Sequence, residues 1–199
     1  MKTAVKWIAI ILLLAVYAGA GWAVLHPHVS PEYRAYFLDR TSTDYGLPRY
    51  DSTPEEGIVF SRAGLPGWVL ATRGLSVREE GGRWTDDGLT PRAGMTFARG
   101  FDGNQCLDFT ARAVPWIVGQ TVEVKMGAEQ RSLRIAGADT SQYRLQFDHL
   151  HGADQLDFIL PPNLPAVNQR EPNNPDPRRL GINFLVLHLV PGECPTPTK

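Results

Sequence analysis

Val122-Glu123-Val124-Lys125-Met126-Gly127 is the stretch that decides the fold, because apolar and charged residues alternate along it until a glycine ends the run. Successive side chains on a β-strand point to opposite faces, so this alternation predicts a strand with one face in a core and the other in water. A surface helix would instead space its apolar residues three or four positions apart. This short run therefore predicts a β-strand of a half-buried sheet.

Similar strand-like segments recur on both sides of this run. They are residues 58–60, 68–71, 95–97, 107–113, 132–135, 143–147, 156–160 and 182–190. The chain's 19 glycines and 16 prolines are scattered between them, as turn residues are in β-proteins. The pattern predicts an all-β domain, a mostly antiparallel, two-sheet, jelly-roll-like sandwich of about eight to ten short strands.

The N-terminal segment, residues 1–25, has a different character. Lys2 and Lys6 precede an uncharged apolar run over residues 7–25. A helix needs about 20 apolar residues to cross a hydrocarbon core of roughly 30 Å, and this run has that length. The alternative is a cleaved signal peptide with Ala18-Gly19-Ala20 before the cut. We predict an uncleaved transmembrane anchor, with the lysines in the cytoplasm and the rest of the chain outside it.

Beyond this segment we predict a connector over residues 26–55, the sandwich over 56–190 and a tail over 191–199. Residues 31–39 of the connector are predicted to form one or two helical turns, with an irregular tether as the alternative. The chain carries 20 Lys and Arg against 21 Asp and Glu, a net charge of -1. This balance gives no electrostatic reason to expect a nucleic acid partner.

Cys106 and Cys194 are the two cysteines of the chain, and both fall in the part predicted to lie outside the cytoplasm. An oxidising compartment permits a disulfide between them, which would attach the tail to the sandwich. The alternative is a catalytic thiol, for which no local motif supplies a histidine or an electropositive site. The two cysteines lie too far apart for the Cys-Trp-Cys spacing of an immunoglobulin domain.

The densest polar and aromatic stretch contains Glu79, Arg83 and Trp84. Trp84 could stack on the apolar face of a sugar ring while the two charged side chains bind its hydroxyls. The structural alternative is a Glu79–Arg83 ion pair that holds a turn, with Trp84 filling the sandwich. A second cluster, Asp176 and Arg178, either lines the same site or forms a rigid start to the last strand.

No metal, cofactor or catalytic residue is predicted. His149 and His151 would share a face of a strand, but a zinc site needs three or four ligands and no clear third is present. Glu79 and Glu80 would point to opposite faces and make a poor catalytic pair. The sequence contains no nucleophile elbow, phosphate-binding glycine loop or Ser/His/Asp signature.

Four motifs, in order, resemble those of a known domain family. Residues 76–85, S-V-R-E-E-G-G-R-W-T, are similar to the S-x-P-E-x-W-G-R-W-S/T segment of a β-sandwich domain. That domain lies at the extracytoplasmic C-terminus of bacterial membrane phosphoglycerol transferases and of some polytopic glycosyltransferases. Residues 58–76 resemble its opening, residues 122–127 its V-x-V-x-I-G strand, and residues 176–181 its closing D-x-R-x-L-G. Arg78 and Gly81 stand where the family has Pro and Trp.

The resemblance implies an envelope setting connected with glycans. We expect a bacterial inner-membrane protein with one span and a periplasmic, non-enzymatic sandwich. It would bind a glycan, or dock on a polytopic glycosyltransferase. The predicted binding residues are Glu79, Arg83, Trp84, Asp176 and Arg178. One alternative is a hydrolase of envelope sugars, which requires two carboxylates that meet in a cleft. Another is a structural subunit of a membrane complex, which would show an exposed apolar patch.

Overall fold

The computed structural model describes residues 2–25 and 29–195. The chain divides into two compact units, with the boundary between Pro31 and Glu32. The first unit contains the helix α1 (Lys2–Leu25). From Lys6 to Leu25 this helix is long and apolar enough to cross a membrane, by its length and composition. Residues 26–28 of the predicted connector and 196–199 of the predicted tail lie outside the described residues.

Among the described residues, short helices and ten strands follow. Helix α2 (Pro31–Tyr33) continues as a π-helical turn over Arg34–Leu38, a 3-10 turn covers Pro115–Ile117, and α3 covers Val167–Arg170. The strands are β1 (Arg49–Tyr50), β2 (Ile58–Val59), β3 (Leu65–Pro66), β4 (Val69–Arg73), β5 (Arg83–Asp86), β6 (Arg92–Ala113), β7 (Thr121–Met126), β8 (Glu129–Arg134), β9 (Ser141–Ile159) and β10 (Leu180–Pro191).

The strands form an antiparallel sandwich organised by β6 and β9. These two strands pair along most of their length, and both bend midway. The first half of β6 and the second half of β9 belong to one sheet, with β4, β7 and β8. The other two halves form the second sheet with β10, β2 and β5. The small β1–β3 pair is parallel.

Aromatic side chains from the two sheets meet in the core. Phe158 of the first sheet lies 5.5 Å from Phe109 and 4.7 Å from Phe184 of the second, between ring centroids. In β7, Val122 and Val124 are fully buried while Glu123 faces outward. The two-sheet sandwich predicted from the period of two is thus confirmed.

The prediction that all strands are short is wrong for β6 and β9, which have 22 and 19 residues. Segments that looked separate in sequence are halves of one bent strand. The pairing register shifts around the bends, where Gly103, His149 and Gly152 have φ angles of 68°, 52° and 62°. Such bulges turn a strand without ending it, so two local alternations join into one element.

The chain beyond β10 is attached to the sandwich through a disulfide between Cys106, buried in β6, and Cys194. The connector is also folded. Its predicted helical turns correspond to α2 and the π-helical turn, and the Gly74 amide donates to the Thr41 carbonyl at 2.8 Å. Residues near Thr41 therefore pack on the sandwich.

Candidate functional site

Strand β5 sets the directions of Arg83 and Trp84. It pairs with β10, and Trp84 lies opposite Asn183. Because neighbours on a strand point to opposite faces, Arg83 enters the protein and is 4% exposed, while Trp84 stays half-buried at the surface. Gly82, at φ 114°, permits the close approach of the two strands, since a Cβ there would lie 2.2 Å from the Phe184 carbonyl oxygen.

Arg83 is part of the scaffold beneath this surface. Its Nη1 donates to Asp44 Oδ1 at 2.8 Å, its Nη2 to Thr43 Oγ1 at 2.6 Å and its Nε to the Ser76 carbonyl at 2.9 Å. Every guanidinium nitrogen thus has a partner inside the protein. The structural alternative, a Glu79–Arg83 ion pair, is wrong, because Arg83 pairs with Asp44 of the connector instead of Glu79.

Glu79 instead meets the second predicted cluster. Arg178 Nη1 donates to Glu79 Oε1 at 2.7 Å, and its Nη2 donates to Asp176 Oδ2 at 2.7 Å. The hydrogen bonds from Arg178 hold the pKa of the Asp176 carboxyl below its ordinary value of 3.8. The bonds to Asp176 and Glu79 raise the pKa of Arg178. The three side chains therefore form one charged network at the surface.

This network borders an open depression of about 360 Å³. Its chemically distinctive lining residues are Glu79, Trp84, Arg112, Trp116, Glu171, Asn174, Asp176 and Arg178. They come from β5 and the turn before it, from the end of β6 and the 3-10 turn, and from the loop after α3. The fold thus brings four of the five predicted binding residues to one place, and Arg83 lies among the scaffold side chains below.

Sequence reasoning missed two residues of this depression, Arg112 and Trp116. The guanidinium carbon of Arg112 lies 5.4 Å from the centre of the Trp84 ring, within cation–π range. Arg112 Nε and Trp116 Nε1 are both buried and have no hydrogen-bond acceptor among the described residues. Buried donors normally have a partner, so these two are exceptions beside the depression.

Trp84 has its own polar atom satisfied. In the orientation that completes its hydrogen bonds, the Asn183 side chain accepts from Trp84 Nε1 at 2.9 Å and donates to the Gly81 carbonyl at 2.7 Å. Asn183 is fully buried. The indole of Trp84 is therefore held from behind, and no ligand is needed to fix its orientation.

A larger cavity of about 490 Å³ lies at the bend of β6 and contains Trp68, Phe97 and Phe101. Their rings contact one another, with centroids 5.0 to 6.5 Å apart. Its lining is mainly apolar and includes none of the predicted binding residues. The depression at Trp84 is the stronger candidate, because it combines aromatic rings with hydrogen-bond donors and acceptors.

Within residues 2–25 and 29–195, no three side chains of His, Cys, Asp or Glu come together as they would around a metal ion. His149 lies in the bend of β9 at φ 52°, which interrupts the regular strand assumed for the His149–His151 pair. The described part of the chain therefore offers no candidate metal centre.

Comparison with known proteins agrees with the resemblance predicted from the four motifs. A family model described as "Domain of unknown function (DUF7024)" matches residues 47–191. Phosphoglycerol transferase I of Escherichia coli (strain SMS-3-5 / SECEC) is 28% identical over 138 residues, 69% of this chain and 18% of that protein. The same figures hold for phosphoglycerol transferase I of Shigella boydii serotype 18. This chain thus matches only 18% of the length of these curated relatives.

Solved structures that resemble this chain include carbohydrate-binding modules. A family 29 module has a TM-score of 0.44 and 15% identity, covering 67% of this chain and 86% of that chain. A mutant of the module CBM29-2 in complex with cellulohexaose has a TM-score of 0.42 and 15% identity, covering 67% and 88%.

Proposed function

We propose that this chain, which belongs to the DUF7024 family of domains of unknown function, is a membrane-anchored glycan-binding protein. Its ligand would occupy the depression between Trp84 and Trp116. The observation that carries the proposal is that two indole rings, Trp84 and Trp116, line one open depression together with the charged side chains of Glu79, Arg112, Asp176 and Arg178.

The chemistry of this depression suits a sugar. A pyranose has an apolar face of C–H groups that packs on an indole, and a rim of hydroxyls that donate and accept hydrogen bonds. Trp84 and Trp116 offer the apolar surface. Arg112 offers donors, and the carboxylates of Glu79 and Asp176 offer acceptors. A ligand with both apolar and hydroxylated surfaces would satisfy all of these groups at once.

The same geometry favours binding over hydrolysis. A glycosidase needs a general acid whose pKa is raised, so that it holds a proton near neutral pH. Asp176 has the opposite shift, because Arg178 binds its ionised form, and Glu79 shares the same arginine. Asp86 is buried and accepts from the amides of Gly88 and Arg179, which gives it a structural role at the end of β5.

We place the sandwich in the periplasm and α1 in the inner membrane as an uncleaved anchor. Lys2 and Lys6 favour a cytoplasmic N-terminus, and the Cys106–Cys194 disulfide favours an oxidising compartment for the sandwich. Protease added to spheroplasts should digest the sandwich of the full chain and spare an N-terminal tag. Digestion of the tag alone would indicate the opposite topology.

Docking on a polytopic glycosyltransferase stays a prediction. The match to phosphoglycerol transferase I covers 18% of that protein, so in those relatives this kind of domain is one part of a much larger chain. Affinity capture of the solubilised full chain, followed by mass spectrometry, tests whether such an enzyme accompanies it. A washed capture that contains this chain alone would contradict docking.

Glycan binding itself is tested with the full chain in lipid nanodiscs. Alkyl maltoside detergents are avoided because their head group is a sugar. Tryptophan fluorescence is followed during titration with neutral oligosaccharides, cellohexaose and mannohexaose, and the titrations are repeated by calorimetry. A saturable change with at least one of them supports the proposal, since Trp84 and Trp116 line the site. The absence of binding to both oligosaccharides at millimolar concentrations would contradict it.

A further inference from the structure

Four aromatic side chains on the connector form an exposed cluster, here named the aromatic patch: Tyr33, Tyr36, Phe37 and Tyr45. Phe37 lies 4.6 Å from Tyr33, 4.8 Å from Tyr36 and 5.0 Å from Tyr45, between ring centroids. The four side chains are 36% to 46% exposed. They therefore pack on one another and still present a large part of their surface to the outside.

This arrangement differs from the aromatic contacts of the core. Phe109 and Phe184 also touch, at 5.7 Å, but both are fully buried. Leu38 and Leu47, next to the aromatic patch in sequence, are 49% and 37% exposed. Single exposed apolar residues are common on protein surfaces, whereas a contiguous group of them marks an interaction surface.

The position of the aromatic patch in the chain indicates what covers it. Only seven residues separate Leu25, where α1 ends, from Tyr33. Eight Cα steps of roughly 3.3–3.6 Å reach at most about 29 Å when fully extended. The head-group layer of a bilayer is itself several Å thick on each side of the hydrocarbon core. With α1 in a membrane, Tyr33 is thus within reach of that layer.

The composition of the aromatic patch suits this layer. Tyrosine rings are enriched at membrane interfaces because they combine an apolar ring with a polar hydroxyl, and Phe37 supplies a fully apolar ring. The net charge of the residues nearby is zero, from Glu32, Arg34, Asp39 and Arg40. Arg34 Nε lies 3.2 Å from Asp39 Oδ2. Ring insertion, rather than attraction to anionic lipids, is therefore the means of contact.

We infer that the aromatic patch lies in the head-group layer of the membrane that α1 crosses, so that the sandwich rests on the bilayer through this surface. The inference depends on the anchored topology proposed above. The protein would then contact lipid at two places, through α1 and through the aromatic patch on the connector. A second copy of this chain or another protein would be the rival occupants.

The test uses three Leu→Cys variants of the full chain, each carrying a nitroxide label, in phosphatidylcholine nanodiscs with one copy per disc. The native cysteines are paired in a disulfide and stay unlabelled. Leu38→Cys reports on the aromatic patch without removing a ring, Leu70→Cys is a control of similar exposure on β4, and Leu13→Cys reports on α1. Power-saturation electron paramagnetic resonance compares collisions with oxygen, which concentrates in lipid, and with a water-soluble nickel chelate.

The Leu38 label should show an oxygen-to-nickel ratio above that of the Leu70 label and below that of the Leu13 label, which lies deeper in the bilayer. Adding Tyr36→Ser and Phe37→Ser to the Leu38 variant should abolish this difference. Equal ratios at Leu38 and Leu70, with lipid contact at Leu13, would overturn the inference and leave the anchor intact. Water contact at Leu13 would overturn both. Shielding of Leu38 from both reagents would show that Leu38 packs against protein and would overturn the lipid contact.

Discussion

Arg178 Nη1 donates to Glu79 Oε1 at 2.7 Å, although 99 positions separate the two residues in the chain. This bond joins the loop before β10 to the turn before β5, which are two walls of the depression at Trp84. Since Arg178 also binds Asp176, one guanidinium positions two carboxylates of the candidate site. The shape of the site therefore depends on an ion network at its rim.

Arg178→Ala should weaken glycan binding more than it weakens the fold. The network is partly exposed, and such pairs contribute about 1 kcal/mol or less to stability. Without the guanidinium, Glu79 and Asp176 repel each other and the two walls are no longer joined. Calorimetric titration and thermal unfolding of the same sample separate the two effects. Arg170→Ala, at an exposed position of α3, is the control. Unchanged affinity in Arg178→Ala would show that the network plays no part in binding.

Arg83→Ala should destabilise the sandwich by about 3–5 kcal/mol, because it leaves the buried Asp44 carboxylate without its positively charged partner. Arg78→Ala is the matched control. Arg78 is exposed and donates to the Ser61 carbonyl, so its loss should cost no more than about 0.5 kcal/mol. Chemical denaturation of both variants measures the difference. A stable Arg83→Ala variant that has lost only glycan binding would show that Arg83 contacts the ligand, which contradicts its role in the scaffold.

The Asp176 network should make stability depend on pH in acid. The folded-state pKa of Asp176 lies below its ordinary value of 3.8, so its contribution is present above that value and is lost as the pH falls through the folded pKa. The difference in unfolding free energy between the wild type and Asp176→Asn should therefore shrink between about pH 5 and about pH 2. Denaturation of both proteins across this range measures it. A difference that grows in acid would contradict the assigned shift.

Reduction of the Cys106–Cys194 disulfide should lower stability by about 2–5 kcal/mol, because the bond closes a long loop and restricts the unfolded chain. Thermal unfolding with and without reductant measures the loss. The Cys106→Ala, Cys194→Ala double variant serves as a control for the reductant, which should then have no effect. An unchanged melting temperature in the reduced wild type would show that the bond is dispensable.

The sandwich could be predicted from sequence because strand alternation is a local signal. The alternation at Val122 and Val124 predicts a buried face, and no knowledge of the partner strand is needed. The bends of β6 and β9 could not be predicted from sequence. A glycine such as Gly103 indicates a turn both where a strand ends and where it continues through a bulge. Whether two segments join in one strand depends on the partner strand, which the sequence does not display.

The candidate site divides in the same way. Asp176 and Arg178 are two positions apart, so their pairing is visible in the sequence. Arg83 pairs with Asp44 across 39 positions, and no local feature distinguishes Asp44 from other acidic residues of the connector. Arg112 likewise lies on the polar face of an alternating strand, where a site residue and an ordinary surface residue look alike.

The central claim is that the depression at Trp84 and Trp116 binds a glycan. Calorimetric titration of the full chain in nanodiscs with cellohexaose and mannohexaose, wild type beside Trp116→Ala and Trp68→Ala, tests it most directly. Trp116→Ala removes one stacking indole and should weaken binding by about 1–2 kcal/mol, roughly tenfold. Trp68 lies in the separate cavity at the bend of β6, so Trp68→Ala should bind as the wild type does. Equal affinity in the wild type and Trp116→Ala, or no binding to the wild type, would contradict the claim.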